Sequence, residues 1–144
     1  MTAQSSTLPT GYELREGADP VAAHAFLTES YWANGIESDT VAKAIAASLT
    51  VSIWFQNAQV AMARVISDYA TFAYLNDVYV LDGHRGNGLS HIMLDWMHSH
   101  SRLQGVSRWA LYTKDAQSLY EGHGWRQYPW PERMMIIDPK VFPG

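Results

Sequence analysis

One stretch of the chain, DGHRGNGLSHIML at residues 82–94, places three glycines within six positions immediately before an apolar helical pattern. A run of β-branched and aromatic residues, YLNDVYV, precedes it, and the residues after it repeat apolar side chains along one helix face. Glycines at such a place let the backbone adopt positive φ angles and approach a ligand closely. The pattern therefore predicts a strand, a tight turn and a helix whose first N–H groups attract an anion.

Three known motifs built on glycine turns can be tested directly against this stretch. A P-loop requires Gly-Lys-Ser/Thr, but Leu89 follows Gly88, which excludes ATP binding by this route. The dinucleotide fingerprint fails because His91 stands at its third glycine. The serine-nucleophile motif Gly-x-Ser-x-Gly fails because Ile92 stands at its last glycine. Two interpretations remain open: a phosphate cradle, and a turn that binds nothing.

The segments before the glycine turn predict a strand, two helices and three more strands. A strand at GYELREG leads to a helix with Asp19 as its cap and Pro20 at its first position. A second helix follows, with Ser38 or Asp39 as its cap. The segments from Thr50 to Leu81 then alternate as three strands of an antiparallel meander.

After the turn, the apolar stripe predicts a helix with one buried face, which carries Leu89, Ile92, Met93, Trp96 and Met97. A buried strand at SRWALYT, a short helix at DAQSLYEGHG and a last strand at RMMIID complete the chain. The expected order is β, α, α, β, β, β, α, β, α, β. We expect one mixed α/β domain over residues 1–144, with residues 1–10 as a frayed leader.

Composition restricts the class of protein and its partners. Apolar residues make up 47% and charged residues 17%, which is typical of a soluble globular domain, and no apolar run is long enough to cross a membrane. The net charge is -4 and there is no basic run, which argues against nucleic acid as a partner. The absence of cysteine excludes thiolate chemistry and, with no secretion signal at the start, favours a cytoplasmic location.

The turn sequence RGNGLS resembles the Arg/Gln-x-x-Gly-x-Gly/Ala signature of the GCN5-related N-acetyltransferases, the GNAT family. TKDAQSLYEGHGW resembles the second cofactor-binding segment of that family, and the resemblance extends over residues 12–138. It implies a central mixed, mostly antiparallel sheet flanked by about four helices, and acetyl-CoA as co-substrate with no metal. Ser90 departs from the Gly/Ala of the signature; its hydroxyl either donates to a phosphate oxygen or bonds back to the helix.

The resemblance also implies which residues bind acetyl-CoA. The Val78 N–H would stabilise the oxyanion, and Val80 would lie further along the pantetheine arm. The residues implied to hold the pyrophosphate are Arg85, Gly86, Asn87, Gly88, Leu89 and Ser90.

Tyr120 and Asp77 are the candidate catalytic residues. Tyr120 matches the tyrosine that serves the family as general acid toward the departing thiolate, and its alternative role is that of a packed core tyrosine. Relatives with Tyr-Leu-Glu-Asp in the strand before the turn use an acidic residue there, whereas this chain has Asn76 at the glutamate position. Asp77 remains, as a direct base, as an anchor for a cationic substrate, or as a structural tie in a bulged strand.

The acceptor site is expected around Tyr31, Trp32, Asn34 and Tyr74, with Tyr112 facing them. These aromatic residues either form a pocket for an ammonium group or seal the core. The expected function is direct acetylation of a primary amine on a small molecule within a ternary complex. The alternatives are acetylation of a protein or aminoacyl amine, and a non-catalytic acyl-CoA-binding module. A homodimer remains open.

The histidines suggest no metal site. His91, Asp95 and His98 share one helix face opposite the apolar stripe, and a solvated polar face explains them without a metal. His84 borders the glycine turn and His123 follows Tyr120 by three residues, so that either is placed to adjust the site.

Overall fold

The computed structural model describes residues 7–144, so residues 1–6 of the predicted leader lie outside the described residues. The chain divides into two compact units, one that ends at Tyr112 and one that begins at Thr113. The strands and α-helices are β1 (Tyr12–Glu16), α1 (Pro20–Leu27), α2 (Ser38–Ala46), β2 (Leu49–Phe55), β3 (Ala58–Ser67), β4 (Phe72–Val80), α3 (Leu89–Ser99), β5 (Arg108–Leu111) and α4 (Gln117–Glu121).

The five strands form one sheet in the order β1-β2-β3-β4-β5. β1 to β4 are antiparallel neighbours, whereas β5 runs parallel to β4. The predicted meander is therefore confirmed, as is the mixed, mostly antiparallel sheet. β5 is half-exposed rather than buried as predicted, because it lies at the edge of the sheet with a single strand neighbour among the described residues.

Helices of the first unit cover the sheet on both faces. On one face, Met62 and Tyr79 pack with Ala23 and Leu27 of α1 and with Val41 of α2. Alternate residues of a strand point to opposite faces. The neighbours of Met62, Ala61 and Ala63, are fully buried on the other face, where α3 contacts β2, β3 and β4. The predicted α3 stripe is buried at Leu89, Ile92, Met93 and Met97, and half-buried at Trp96.

The start of α1 follows the local capping rules, whereas the start of α2 does not. Asp19 caps α1 as predicted, because its carboxylate accepts hydrogen bonds from the Val21 and Ala22 N–H groups. The predicted cap of α2 at Ser38 or Asp39 is wrong: Glu37 occupies the cap position, and no side chain bonds to the first turn. Ser38 and Asp39 are already the first two residues of the helix. They therefore lack the extended backbone from which a cap side chain bonds to the N–H groups two or three residues further on.

The second unit contains α4 and a short 3-10 turn at Pro131–Arg133. The predicted last strand at RMMIID is wrong, because the backbone from Met134 to Asp138 is irregular. The β propensity of these residues is not enough to form a strand, because a strand also requires a neighbouring strand that pairs with its backbone N–H and C=O groups. The side chains of Met135 and Ile137 are 92% and 101% exposed. In the described part of the chain, no helix has the length and apolar character needed to cross a membrane.

Candidate active site

Strand β4 loses its β5 neighbour halfway along its length. The parallel pairing joins Phe72–Leu75 of β4 to Arg108–Leu111 of β5 and then ends. Residues 76–80 of β4 therefore have a strand neighbour only on the β3 side, among the residues that the structure describes. The free N–H and C=O groups along such an edge are available to an extended ligand. Val78 and Val80 both lie in this segment.

A β-bulge distorts β4 in the same segment. Met62 pairs with Tyr79 and Arg64 with Asn76, so that Ala63 alone stands opposite Asp77 and Val78. Asp77 has a φ of +53°, in the left-handed region, and the Asn76 side-chain oxygen accepts a hydrogen bond of 2.9 Å from its N–H group. Because a bulge interrupts the ladder locally, it frees backbone groups for other partners. Val78 lies directly at this interruption.

The glycine turn leads into α3 without a side-chain cap. Gly86 and Gly88 have φ angles of +85° and +75°, and Gly88 is the cap residue of α3. As a glycine, Gly88 has no side chain that could cap the N–H groups of the first helical turn. A Cβ atom at Gly86 or Gly88 would meet no atom within 4 Å, so the space beside the turn is open. A helix start without a side-chain cap, its dipole and the open space fit a diphosphate.

Neighbouring side chains brace the turn from the protein side. Arg85 donates from Nε to the Val80 carbonyl at 3.1 Å and forms an ion pair of 2.7 Å with Asp82. Asn87 donates from its amide to the His84 carbonyl at 3.0 Å. The His84 Nδ1 lies 2.8 Å from the Tyr12 hydroxyl on β1. These contacts tie the turn to the end of β4 and to the edge of the sheet.

The Asp77 carboxylate accepts a hydrogen bond at each of its oxygens. Arg64 donates from Nε to Oδ2 at 2.8 Å, and Trp32 donates from its indole N–H to Oδ1 at 2.8 Å. Arg64 and Asp77 are only 8% and 9% exposed, so the ion pair is buried. These contacts are what the structural tie requires. A role as direct base or as substrate anchor would require an acceptor amine to reach a carboxylate that is almost buried and already neutralised by Arg64.

The predicted acceptor residues lie in two groups of the first unit. Tyr31 and Trp32 follow α1 in a turn, with their rings T-shaped at 5.1 Å, and the Asn34 amide contacts the Thr28 carbonyl at 3.4 Å. The rings of Tyr74 and Tyr112 are T-shaped at 5.8 Å. Burial raises the pKa of the Tyr74 hydroxyl, nearby Tyr112 and Asp77 raise it further, and the positive charge of Arg64 opposes them.

Tyr120 lies on α4 in the second unit and is 9% exposed. Its ring is T-shaped against Trp125 at a centroid distance of 6.0 Å, and its carbonyl accepts a hydrogen bond from the Trp125 N–H group. Within residues 7–144, no group of three or more histidine or acidic side chains is arranged to hold a metal ion.

Arg64 and Ser48 belong to this site but were not predicted from the sequence. Arg64 donates from Nη1 to the Ser48 hydroxyl at 3.0 Å, in addition to its ion pair with Asp77. A signal for Arg64 exists in the strand QVAMARVIS, where one arginine interrupts an apolar run. Because arginine is almost never fully buried without a partner, this position indicates a hidden acidic residue.

Comparison with known proteins identifies the family. Residues 47–127, more than half of the chain, match the model of the acetyltransferase (GNAT) domain. A crystal structure from Xanthomonas campestris pv. campestris, of a protein assigned to the GNAT family, is 37% identical. It superposes with a TM-score of 0.86, over 96% of this chain and 100% of that one.

Two further relatives match less closely or over a shorter segment. A Gibberella zeae protein whose name proposes acetyltransferase activity is 40% identical over 65 residues, which are 43% of this chain and 36% of that protein's length. A Clostridium acetobutylicum protein crystallised with acetyl-CoA shares the fold, with a TM-score of 0.69 and 15% identity over 92% of this chain and 99% of that one. The family model and the Xanthomonas campestris structure, together with the glycine turn, the β4 bulge and the parting of β4 from β5, show that the chain belongs to the GNAT family of acetyltransferases.

Proposed function

We propose that the protein transfers an acetyl group from acetyl-CoA directly to a primary amine of a small molecule within a ternary complex. The observation that carries this proposal is the open edge of β4 beyond Leu75, which ends at an uncapped helix N-terminus. The edge suits an extended pantetheine arm, and the helix start suits a diphosphate. The Clostridium acetobutylicum relative was crystallised with acetyl-CoA.

In this proposal, backbone groups hold the co-substrate. The N–H groups of residues 86–90 would bind the diphosphate, assisted by the positive charge of Arg85. Val80 would contact the pantetheine arm. The open space beside Gly86 and Gly88 supports this assignment, since a bound phosphate would meet no Cβ atom there. When bound, acetyl-CoA would supply an activated acetyl group as a thioester.

Val78 and Tyr120 are assigned to the chemical step. The Val78 N–H, at the bulge, would donate to the oxyanion that forms on the thioester carbonyl. The unprotonated amine would attack the thioester carbonyl and the C–S bond would break. Tyr120 would donate its phenolic proton to the departing thiolate and recover a proton from the amine nitrogen, a role that rests on the resemblance to the family's tyrosine at this position. Asp77 is assigned the structural tie rather than the role of base, because its carboxylate is almost buried, paired with Arg64 and hydrogen-bonded to Trp32.

The acceptor is proposed to approach the aromatic residues of the first unit. Tyr31 is 60% exposed and Trp32 38%, so both offer ring surface to an ammonium group or an apolar group of the acceptor. We further propose that the whole of residues 1–144 acts as one acetyltransferase domain in the cytoplasm. The cysteine-free composition suits that compartment. A homodimer is compatible with this proposal and is decided by the solution mass.

Release of free thiol tests the proposal. Purified protein is supplied with acetyl-CoA and a panel of small amines, a lysine-containing peptide and an aminoacyl analogue, while calorimetry measures CoA binding. Thiol release with small amines supports the proposal. Thiol release with only the peptide or only the aminoacyl analogue would mean that the acceptor is a protein amine or an aminoacyl amine instead. Tight CoA binding without release by any amine supports the acyl-CoA-binding module, for which the loss of the acidic residue at Asn76 is the relevant feature.

A further inference from the structure

We infer that Trp32, Arg64 and Asp77 act as one positioning unit, named here the triad, which holds the α1–α2 loop (residues 28–37) against the bulge in β4. This inference rests on the proposed function, because it assigns to the triad the placement of the acceptor amine. None of the three side chains touches the reacting atoms in this scheme. They are positioning residues.

The triad is a closed arrangement of charge and hydrogen bonds. One oxygen of Asp77 accepts from Arg64 and the other from Trp32, each at 2.8 Å. Arg64 and Asp77 neutralise each other at 8% and 9% exposure. A buried carboxylate that accepts two charge-assisted or aromatic N–H bonds has a narrow range of favourable positions. A shift of Trp32 or of the bulge would therefore break a bond that no water replaces easily.

The triad joins segments that are distant in the sequence. Trp32 belongs to the loop that follows α1, Arg64 to β3, and Asp77 to the bulge in β4. Arg64 also donates to the Ser48 hydroxyl at 3.0 Å, and Ser48 donates in turn to the Ala44 carbonyl at 2.6 Å in the last turn of α2. The loop after α1 is therefore connected to β4 through Trp32, and the end of α2 is connected to β4 through Ser48 and Arg64.

The loop is itself ordered by local bonds, so it can transmit a position. The Gly35 N–H donates to the Thr28 carbonyl at 2.8 Å, which closes the loop at its base. The Ser30 hydroxyl donates to the Leu27 carbonyl at 2.7 Å and accepts from the Ala33 N–H at 3.1 Å. The bond from Trp32 to Asp77 then attaches this ordered loop to the sheet.

Aromatic surface surrounds the triad on the acceptor side. Tyr31 and Trp32 are exposed on the loop, and Tyr74 lies close enough to Asp77 and Arg64 for both charges to affect the pKa of its hydroxyl. An acceptor that rests on these rings is held at a distance from Val78 that the triad sets. A buried ion pair is a poor source of net stability, so a role in fixing geometry accounts better for its presence.

The test removes one hydrogen bond and keeps an aromatic ring, although a smaller one. Trp32→Phe deletes the indole N–H that bonds to Asp77. The matched control is Trp54→Phe, because the Trp54 indole N–H donates to the Ser52 hydroxyl at 2.9 Å on β2, outside the triad. Amide hydrogen exchange of the free protein is followed at residues 31–36 and 76–78. For Trp32→Phe we expect exchange to rise in both segments by about tenfold, the size expected for one lost hydrogen bond to a charged group. The control should match the wild type there.

The second readout is kinetic and uses an acceptor found in the thiol-release assay. For Trp32→Phe we expect KM for the acceptor to rise about tenfold while the Kd for acetyl-CoA stays unchanged. Arg64→Lys, which keeps the charge and loses the fork geometry, should change both readouts in the same direction and serves if Trp32→Phe does not fold.

Three results would overturn the inference. Exchange that rises in only one segment, or in neither, means that loop and bulge are not coupled. Exchange that rises in both with unchanged acceptor kinetics means that the triad is purely structural. If the wild type acetylates no amine, the proposed function fails and the acceptor role falls with it, while the exchange data still decide whether the triad couples loop and bulge.

Discussion

At the scale of single residues, Asp77 combines a left-handed backbone with a buried charge. Its carboxylate balances Arg64, and removing one partner of a buried pair leaves the other charge uncompensated. We expect Asp77→Asn to lower the free energy of unfolding by about 3–5 kcal/mol, measured by urea denaturation. Exposed Asp115→Asn is the control and should change it by less than about 0.5 kcal/mol. Equal effects of the two substitutions would mean that the ion pair contributes nothing.

Tyr120 is the residue on which the proposed proton transfer depends. Tyr120→Phe keeps the ring and removes the proton donor, so turnover should fall by about 10²-fold or more while the Kd for acetyl-CoA stays constant. Tyr128→Phe is the matched control, since Tyr128 lies in the same unit and is 49% exposed. Undiminished turnover in Tyr120→Phe would exclude Tyr120 from the mechanism.

Residues whose role follows from a local rule could be predicted from the sequence, and residues whose role depends on distant partners could not. The Asp19 cap was predicted because an aspartate before a proline and a helical run is a local signal. The sequence leaves three roles open for Asp77, because its hydrogen-bond partners lie 13 and 45 positions away in the chain. Arg64 was missed for the same reason, although its apolar surroundings in QVAMARVIS are an indication.

At the scale of elements, the glycine turn and α3 form the proposed diphosphate site. Gly88→Val introduces a β-branched side chain at a φ of +75°, which distorts the turn and narrows the space beside it. We expect CoA affinity to fall about tenfold or more, measured by calorimetry on folded protein. Gly105→Val is the control, because Gly105 has open surroundings and no positive φ. Unchanged CoA affinity in folded Gly88→Val would rule out the turn as the cradle.

The turn between β3 and β4 makes the protein sensitive to acid. The hydrogen bond from the Thr71 hydroxyl, followed by bonds from the Thr71, Ala70 and Phe72 N–H groups, lowers the pKa of the Asp68 carboxyl far below its usual range. A carboxyl with a lowered pKa stabilises the fold fully above its unfolded-state pKa of about 4, and this contribution is lost progressively as the pH falls from there through the folded-state pKa.

Asp68→Asn keeps an acceptor oxygen and removes the titration. We expect the free energy of unfolding of the wild type to fall more steeply than that of the variant between about pH 5 and pH 3, measured by urea denaturation. The difference in stability between the two proteins should therefore narrow as the pH falls. Parallel pH dependences would contradict the assigned role of Asp68.

Elements with a strong internal period could be predicted, and elements defined by their neighbours could not. The α3 stripe and the three-strand meander follow from apolar spacing, and both are confirmed. The RMMIID segment has strand propensity, but its backbone is irregular because propensity does not supply a pairing partner. The bulge in β4 was only one of several possibilities for Asp77, since a bulge depends on the register of two strands rather than on one.

At the scale of the whole molecule, the GNAT fold was predicted from a short turn sequence together with the order of the elements. The turn, the strand YLNDVYV before it and the segment TKDAQSLYEGHGW carry the resemblance to the family, which the family model and the Xanthomonas campestris structure confirm. The parting of β4 from β5 after Leu75 could not be predicted, because the length of a strand pairing depends on the sheet twist and the loops at both ends. That opening, more than any single side chain, suggests where a thioester would lie.

A crystal structure of the protein with CoA decides whether the glycine turn and the free edge of β4 bind the co-substrate. We expect a diphosphate bound by the backbone N–H groups of residues 86–90, with the pantetheine arm along residues 76–80 of β4. A turn that stays empty or is filled by the protein's own side chains, with CoA bound elsewhere, would contradict it.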